Sequence, residues 1–426
     1  MNIRRRVRED RVAPPDPLLH AADRLRAEGR GMLWLATGNA PYPALMQLSP
    51  TLVRSLPKVA LHDHLDGGLR PSTVLALCAE LGVAPPPIVP AREADGTVDV
   101  PGGAETPTDQ DVADWFHAAA DSGSLPSYLS TFERTLALMQ TAPALRRIAR
   151  EFVEDMVADG VVYAETRWAP HQHTAGELDL EQAVQAVQDG LDEGAAAAER
   201  DGSRIVVGQL LAYLRQRDPT DDLVDLAIAR RGTGVVGVDL AGPEAGFPAD
   251  RFRAQFERAR RHGVHVTIHA GEADGPTSIA NALDCGAERI GHGVRLIEDV
   301  TTADGSSGAA VGFGPLAARV HRERICLEVC PSSNLQTGAA QDLATHAAGA
   351  LHERGFAVAL SSDNRLMSRT STSREMMLVA EAFEWDLEDL EHVVLTGLDA
   401  GFASAEARTA LREEVVLPAF RAVREG

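Results

Sequence analysis

Short runs of apolar, often β-branched residues recur along this chain, each followed by a polar turn and then by a stretch with helical spacing. The runs lie at 58–61, 161–165, 205–211, 235–240, 265–268, 289–290, 325–329 and 357–360. Between the second and third, Leu180, Ala183, Val184, Val187 and Leu191 repeat at the period of one helix face. Strands alternating with helices predict a parallel sheet covered by helices. Eight such units in about 370 residues predict an α/β fold of the (β/α)8, TIM-like kind. A doubly wound open sheet has the same alternation and competes with it.

Two segments break the pattern. Roughly 95 residues separate the first two strands, more than one crossover helix needs. Within them, 82–111 is rich in Pro and Gly, and helical patterns resume at 111–120 and 126–140. A helical insertion on the active-site side, acting as a lid, is expected, with Trp115 and Phe116 as candidate apolar cover or as helix core. Residues 1–50 combine an Arg-rich start, a Pro-rich stretch and one short amphipathic segment around Leu18 to Leu25. They read as a poorly ordered extension before a single catalytic domain over 51–426, with Met46 as an alternative start. A Gly- and Ala-rich insertion is expected at 301–320.

Charge narrows the partners. With 41 basic and 62 acidic residues, the formal net charge is −21. Such a surface repels a phosphate backbone, which argues against a nucleic-acid polymer and leaves a small neutral ligand free to bind. Four cysteines in 426 residues make no disulfide framework. No apolar run is long enough for a membrane span, and no signal core follows Arg4–Arg6, so a cytoplasmic location is expected.

Several of the apolar runs end, on their C-terminal side, in groups that bind metals or move protons. The first ends in His62-Asp63-His64-Leu65-Asp66, the fifth in His269-Ala270-Gly271-Glu272, the sixth in His292, the eighth in Asp363-Asn364. In a parallel barrel all these ends open on one rim. His62 and His64, at i and i+2 of a strand, point to the same side. With His269 and Asp363 they make three imidazoles and a carboxylate, a set that suits one Zn²⁺ ion with a position left for water. Attack by such a water on an aminated aromatic ring also needs a proton donor. Glu272, buried beside the ligand, fits that role, and His292 fits orientation of the attacking oxygen. Each residue has a plainer reading: Glu272 a solvated turn residue, His292 a core histidine, Asp363 a helix cap. His171 and His173 form a second His-x-His, but nothing acidic follows them, and they read as solvated loop residues.

Taken with Asp239-Leu-Ala-Gly-Pro-Glu244, Arg289-Ile-Gly-His-Gly293 and Cys330-Pro-Ser-Ser-Asn334, these motifs resemble the adenosine deaminases of the amidohydrolase superfamily, bacterial members in particular, over about residues 55 to 420. The resemblance implies hydrolytic conversion of adenosine and 2′-deoxyadenosine to inosine and 2′-deoxyinosine, with release of ammonia. It implies zinc on His62, His64, His269 and Asp363, and proton donation to purine N1 by Glu272. It implies steering of the nucleophile by His292 and Asp363, and substrate contacts by His64, by Asp66 at the 5′-hydroxyl and by the Gly242 backbone at N3. Asn364 stands where many members have an Asp facing N7, a change that bears on ring recognition rather than on the metal.

Another 6-aminopurine, such as adenine or an aminofutalosine-type nucleoside, is the rival substrate, although Asp66 favours a sugar. A barrel that only binds its ligand would have lost a metal ligand or the glutamate, and neither is missing. Cytidine-type zinc deaminases are excluded by the Cys326–Cys330 spacing, which makes His321-Arg-Glu323 a chance match on a surface helix.

Overall fold

The computed structural model describes residues 48–88, 106–302 and 311–425. The expected N-terminal extension up to residue 47, Met46 included, lies outside them. Leu48 already belongs to the catalytic unit, where Ser49 caps a helix over Pro50–Ser55 by accepting from the Leu52 amide at 3.2 Å. The next element returns the favour from the other end. The buried ammonium of Lys58 donates to the carbonyls of Val53 (2.8 Å), Arg54 (3.0 Å) and Leu56 (2.6 Å), closing that helix as the first strand begins.

Eight parallel strands follow in chain order: β1 Lys58–His64, β2 Val161–Trp168, β3 Val206–Leu214, β4 Val235–Ala241, β5 His265–Ala270, β6 Arg289–His292, β7 Cys326–Val329 and β8 Val358–Leu360. Each pairs with the next. The ring closes because β1 meets the end of β8. The His64 amide donates to the Asp363 carbonyl at 2.7 Å, and the Asp363 amide donates to the His62 carbonyl at 2.9 Å. That closure rejects the open doubly wound sheet in favour of the barrel.

The first six strands extend one to three residues beyond the apolar runs read from the sequence. The extra residues include His64, Arg167, His269 and His292, polar side chains that end a hydrophobic pattern without ending the ladder. A barrel mouth turns such residues inward, so hydropathy stops short of the strand.

Among the described residues the insertion after β1 is helical: Pro71–Leu81, Asp109–Ala120, Leu125–Leu129, Phe132–Leu138 and Ala142–Ala158. The second is opened by a capping box of Thr108 and Asp111. Phe116 is fully buried in the hydrophobic core, and Trp115 packs against that core under the guanidinium of Arg134 at 4.7 Å. Both therefore serve as core, as their plainer reading had it. Phe132 of this insertion comes within 6.4 Å of the His64 ring. Within the expected insertion at 301–320, the described residues form an antiparallel strand pair, Val300–Thr302 with Val311–Phe313, and then the helix Pro315–Glu323.

Below the mouth the barrel holds an ionic core. Arg167, Arg289, Glu165, Glu328 and Asp239 are all essentially inaccessible to solvent. Arg289 Nε donates to Glu328 Oε1 at 2.6 Å and its Nη1 to Glu165 Oε1 at 3.2 Å, while Arg167 Nη2 donates to Glu328 Oε2 at 2.7 Å. Glu165 also accepts the Phe402 amide at 2.6 Å, tying the C-terminal helices to the barrel. Removing one member of such a set strands a buried charge. Glu165→Ala is expected to lower the free energy of unfolding by about 3–5 kcal/mol, read from urea denaturation of mutant and parent.

Candidate active site

The strand ends bring the expected residues together. His62 and His64 stand two apart on β1, His269 near the end of β5, and Asp363 just past β8. Asp363 Oδ1 lies 3.4 Å from His62 Nε2 and 3.3 Å from His64 Nε2, and His64 Nε2 lies 3.1 Å from His269 Nε2. Gly291 makes this approach possible, because a Cβ there would stand 3.1 Å from both His62 Cε1 and the His269 Cα.

The other ring nitrogens are committed elsewhere. His62 Nδ1 is 3.1 Å from Glu328 Oε2 and His269 Nδ1 is 3.2 Å from Asp239 Oδ1, so each carries its proton on the carboxylate side. Both carboxylates stay ionised. Burial opposes this, but Arg167, Arg289 and His62 hold Glu328 well below the usual range, and His269 and Arg167 hold Asp239 low. The Nε2 atoms of His62 and His269 thereby face inward, and His62 Nε2 is buried without a hydrogen-bond partner. Burial, together with neighbouring histidines, pushes His64 down to about 3 and also lowers His269, keeping both rings neutral. Burial and Arg167 press the same way on His62, but the carboxylates of Asp363 and Glu328 on either side of its ring outweigh them and raise it, so Nε2 offers a lone pair where a cation takes the place of its proton. Asp363, despite burial, is held well below the carboxylate range by those histidines. Two overlapping clusters that share the orphaned His62 nitrogen, His62 with His64 and Asp363 and His62 with His269 and His292, fit a metal ion.

Glu272 leaves β5 on the turn after His269 and is buried, with Oε2 3.6 Å from His292 Nε2. Burial first, then the charges of Asp363 and Glu244, raises its pKa well above the ordinary value and favours the protonated form. Its turn is held by Glu244, whose carboxylate accepts the amides of Gly271 (2.6 Å), Glu272 (3.0 Å), Ala273 (2.7 Å) and Asp274 (3.0 Å). His292 and Asp363 both have positive φ, 61° and 59°, a conformation that residues with a Cβ adopt at a cost.

Asp66 is buried in the turn after β1, with one oxygen unpartnered. Its other oxygen is 3.6 Å from Nε2 of His173, which corrects the reading of that histidine as solvated. His173 is fully buried, bonded through Nδ1 to the Met139 carbonyl at 3.0 Å and packed edgewise on Trp168. His171 is only partly buried and pairs with Asp222 at 3.0 Å. Asn364 is buried with Oδ1 unpartnered and packs against Gly67, where any Cβ would overlap it. Gly242 follows β4 with a φ of 95°.

The supporting residues were less visible in sequence. Glu328 carried one usable signal, a lone carboxylate inside an otherwise apolar run. Glu244, Asp239 and Asn334 stood in motifs without an assigned role, and nothing local marked His173 or Phe132.

A model of the adenosine deaminase family matches residues 57–418. The chain is 45% identical over 375 residues to adenosine deaminase 1 of Streptomyces coelicolor, covering 87% of this chain and 89% of that protein. It is 41% identical over 369 residues to the adenosine deaminase of Mycobacterium leprae, covering 86% and 96%. Among solved structures, an Arabidopsis N6-mAMP deaminase superposes with a TM-score of 0.69 at 26% identity, covering 87% of this chain and 99% of its own. An amidohydrolase from Burkholderia ambifaria with bound zinc shares the fold at a TM-score of 0.72 and 23% identity, covering 90% and 97%. The match spans both the barrel and every strand end that bears a site residue, and this chain belongs to the adenosine deaminase family.

Proposed function

We propose that this protein hydrolyses the 6-amino group of adenosine and 2′-deoxyadenosine, yielding inosine or 2′-deoxyinosine and ammonia, as a cytoplasmic enzyme of purine salvage. The observation that carries this reading is a glutamate buried beside a cluster of histidines, with Oε2 3.6 Å from His292 Nε2. His62, His64, His269 and Asp363 would hold one Zn²⁺, which supplies a water acidified to about pKa 7 at neutral pH. Glu272 donates its proton to purine N1, so that C6 accepts an oxygen while the ring nitrogen is neutralised. His292 and Asp363 orient that oxygen, and the amino group leaves as ammonia.

Substrate contacts follow the buried groups that lack partners. The free oxygen of Asp66 takes the 5′-hydroxyl, alongside His64, and the Gly242 amide takes N3. Asn364 meets N7 through its amide, which can donate where an ionised Asp cannot. A solved adenine deaminase from Arthrobacter aurescens shares the fold, so adenine is the second reading. Asp66 disfavours it, since a free base leaves that carboxylate unpaired.

The direct test is the ultraviolet change on conversion of adenosine, run beside adenine and an aminofutalosine-type nucleoside. Adenosine and 2′-deoxyadenosine are expected to turn over fastest, with one zinc per chain by elemental analysis. Chelation is expected to abolish turnover and added zinc to restore it; full activity in metal-stripped protein refutes the proposal. Glu272→Gln is expected to lower kcat by about 10²–10⁴-fold with metal content unchanged. Glu244→Ala frees the turn that aims Glu272, and misplacement of a reacting group by an ångström costs on the order of 10²-fold. Its kcat is expected to drop by about that factor in steady-state assays.

A further inference from the structure

His292 differs from the neighbouring histidines in which ring nitrogen is free, and the difference can be traced to one backbone amide. The Ala348 amide, which can only donate, points at His346 Nδ1 at 3.1 Å. That nitrogen must be unprotonated, so the proton of neutral His346 sits on Nε2; burial lowers this imidazole to about 4 and keeps it neutral. His346 Nε2 then donates to Asn334 Oδ1 at 3.2 Å. With its oxygen fixed there, Asn334 turns its amide nitrogen toward His292 Nδ1, at 3.1 Å, and donates to it. All three residues are buried, at 2%, 0% and 1% exposure, so water does not compete for these bonds.

We infer that Asn334 and His346 are positioning residues that hold His292 in the tautomer protonated on Nε2, making it a hydrogen-bond donor to the attacking oxygen. His62 and His269 are held the opposite way, with carboxylates on Nδ1 and lone pairs on Nε2. The contrast separates their roles. His292 lies close enough to His62 and His269 to join a metal cluster, yet its inward nitrogen has no lone pair to offer. Nor can a nitrogen that already bears a proton take one from water. That acceptor role falls to Asp363, whose ionised carboxylate faces the same point. His292 instead aligns the nucleophile, with Glu272 Oε2 3.6 Å from the same nitrogen.

The kinetic part of this inference rests on the deaminase reading; the tautomer does not. The full chain, labelled with ¹⁵N-histidine and studied both metal-stripped and zinc-loaded, is suited to long-range ¹H–¹⁵N correlation. The His292 signals are identified by their loss in His292→Gln. The parent protein is expected to carry the His292 proton on Nε2. Asn334→Asp presents only acceptors to Nδ1 and is expected to move the proton there. Its kcat is expected to fall by about 10²–10³-fold, the scale for losing one aligned donor, with KM little changed. His346→Leu releases the Asn334 amide to turn over, and both tautomers are expected to appear. A parent spectrum with His292 protonated on Nδ1 overturns the inference, as does an activity loss in Asn334→Asp with the tautomer unmoved. The spectrum decides the tautomer even for a chain that fails to turn over adenosine.

Discussion

Two backbone hydrogen bonds between the first and last strands hold the site together. They run from the His64 amide to the Asp363 carbonyl and from the Asp363 amide to the His62 carbonyl. They join residues about 300 positions apart, and the loop entropy of that closure is met by a ring of strands already paired in order. Without them Asp363 has no fixed place beside His62 and His64. Fold and chemistry share these contacts.

Beneath the rim, charge does what apolar packing usually does in a barrel interior. Arg167 and Arg289 face Glu165, Glu328 and Asp239, and two of those carboxylates end on the rings of His62 and His269. Buried ion pairs seldom add net stability over well-packed apolar side chains. Here they set which ring nitrogen is bare, a property no hydrocarbon can confer. Glu244 works similarly on the other side of the rim, where one carboxylate gathers four amides and also keeps a second negative charge near Glu272.

The alternation of apolar runs was enough to read a parallel sheet covered by helices but left a closed barrel and an open sheet in competition, while the polar ends of those runs were enough to read its rim. His62, His64, His269, Asp363, Glu272 and His292 all meet where strand direction placed them. Strand ends were read too short because buried polar side chains break the hydrophobic pattern before the ladder ends. His173 was misread because its partner Asp66 lies about a hundred residues away in sequence, and a His-x-His pair looks the same whether buried or not. The Asn334–His346 connection was out of reach for a different reason. Its meaning depends on which atom donates, and that is set by a backbone amide belonging to a later helix.

The left-handed backbone at His292 and Asp363 sets this enzyme against its own stability. Non-glycine residues in sparsely populated φ/ψ regions cost of order 1–3 kcal/mol each, and these two side chains are ones the proposed chemistry relies on. Replacing either by glycine would relax the chain and empty the position at once. Laboratory selection for heat resistance that ignores turnover would therefore be drawn toward the catalytic rim, where tolerance of heat and competence diverge.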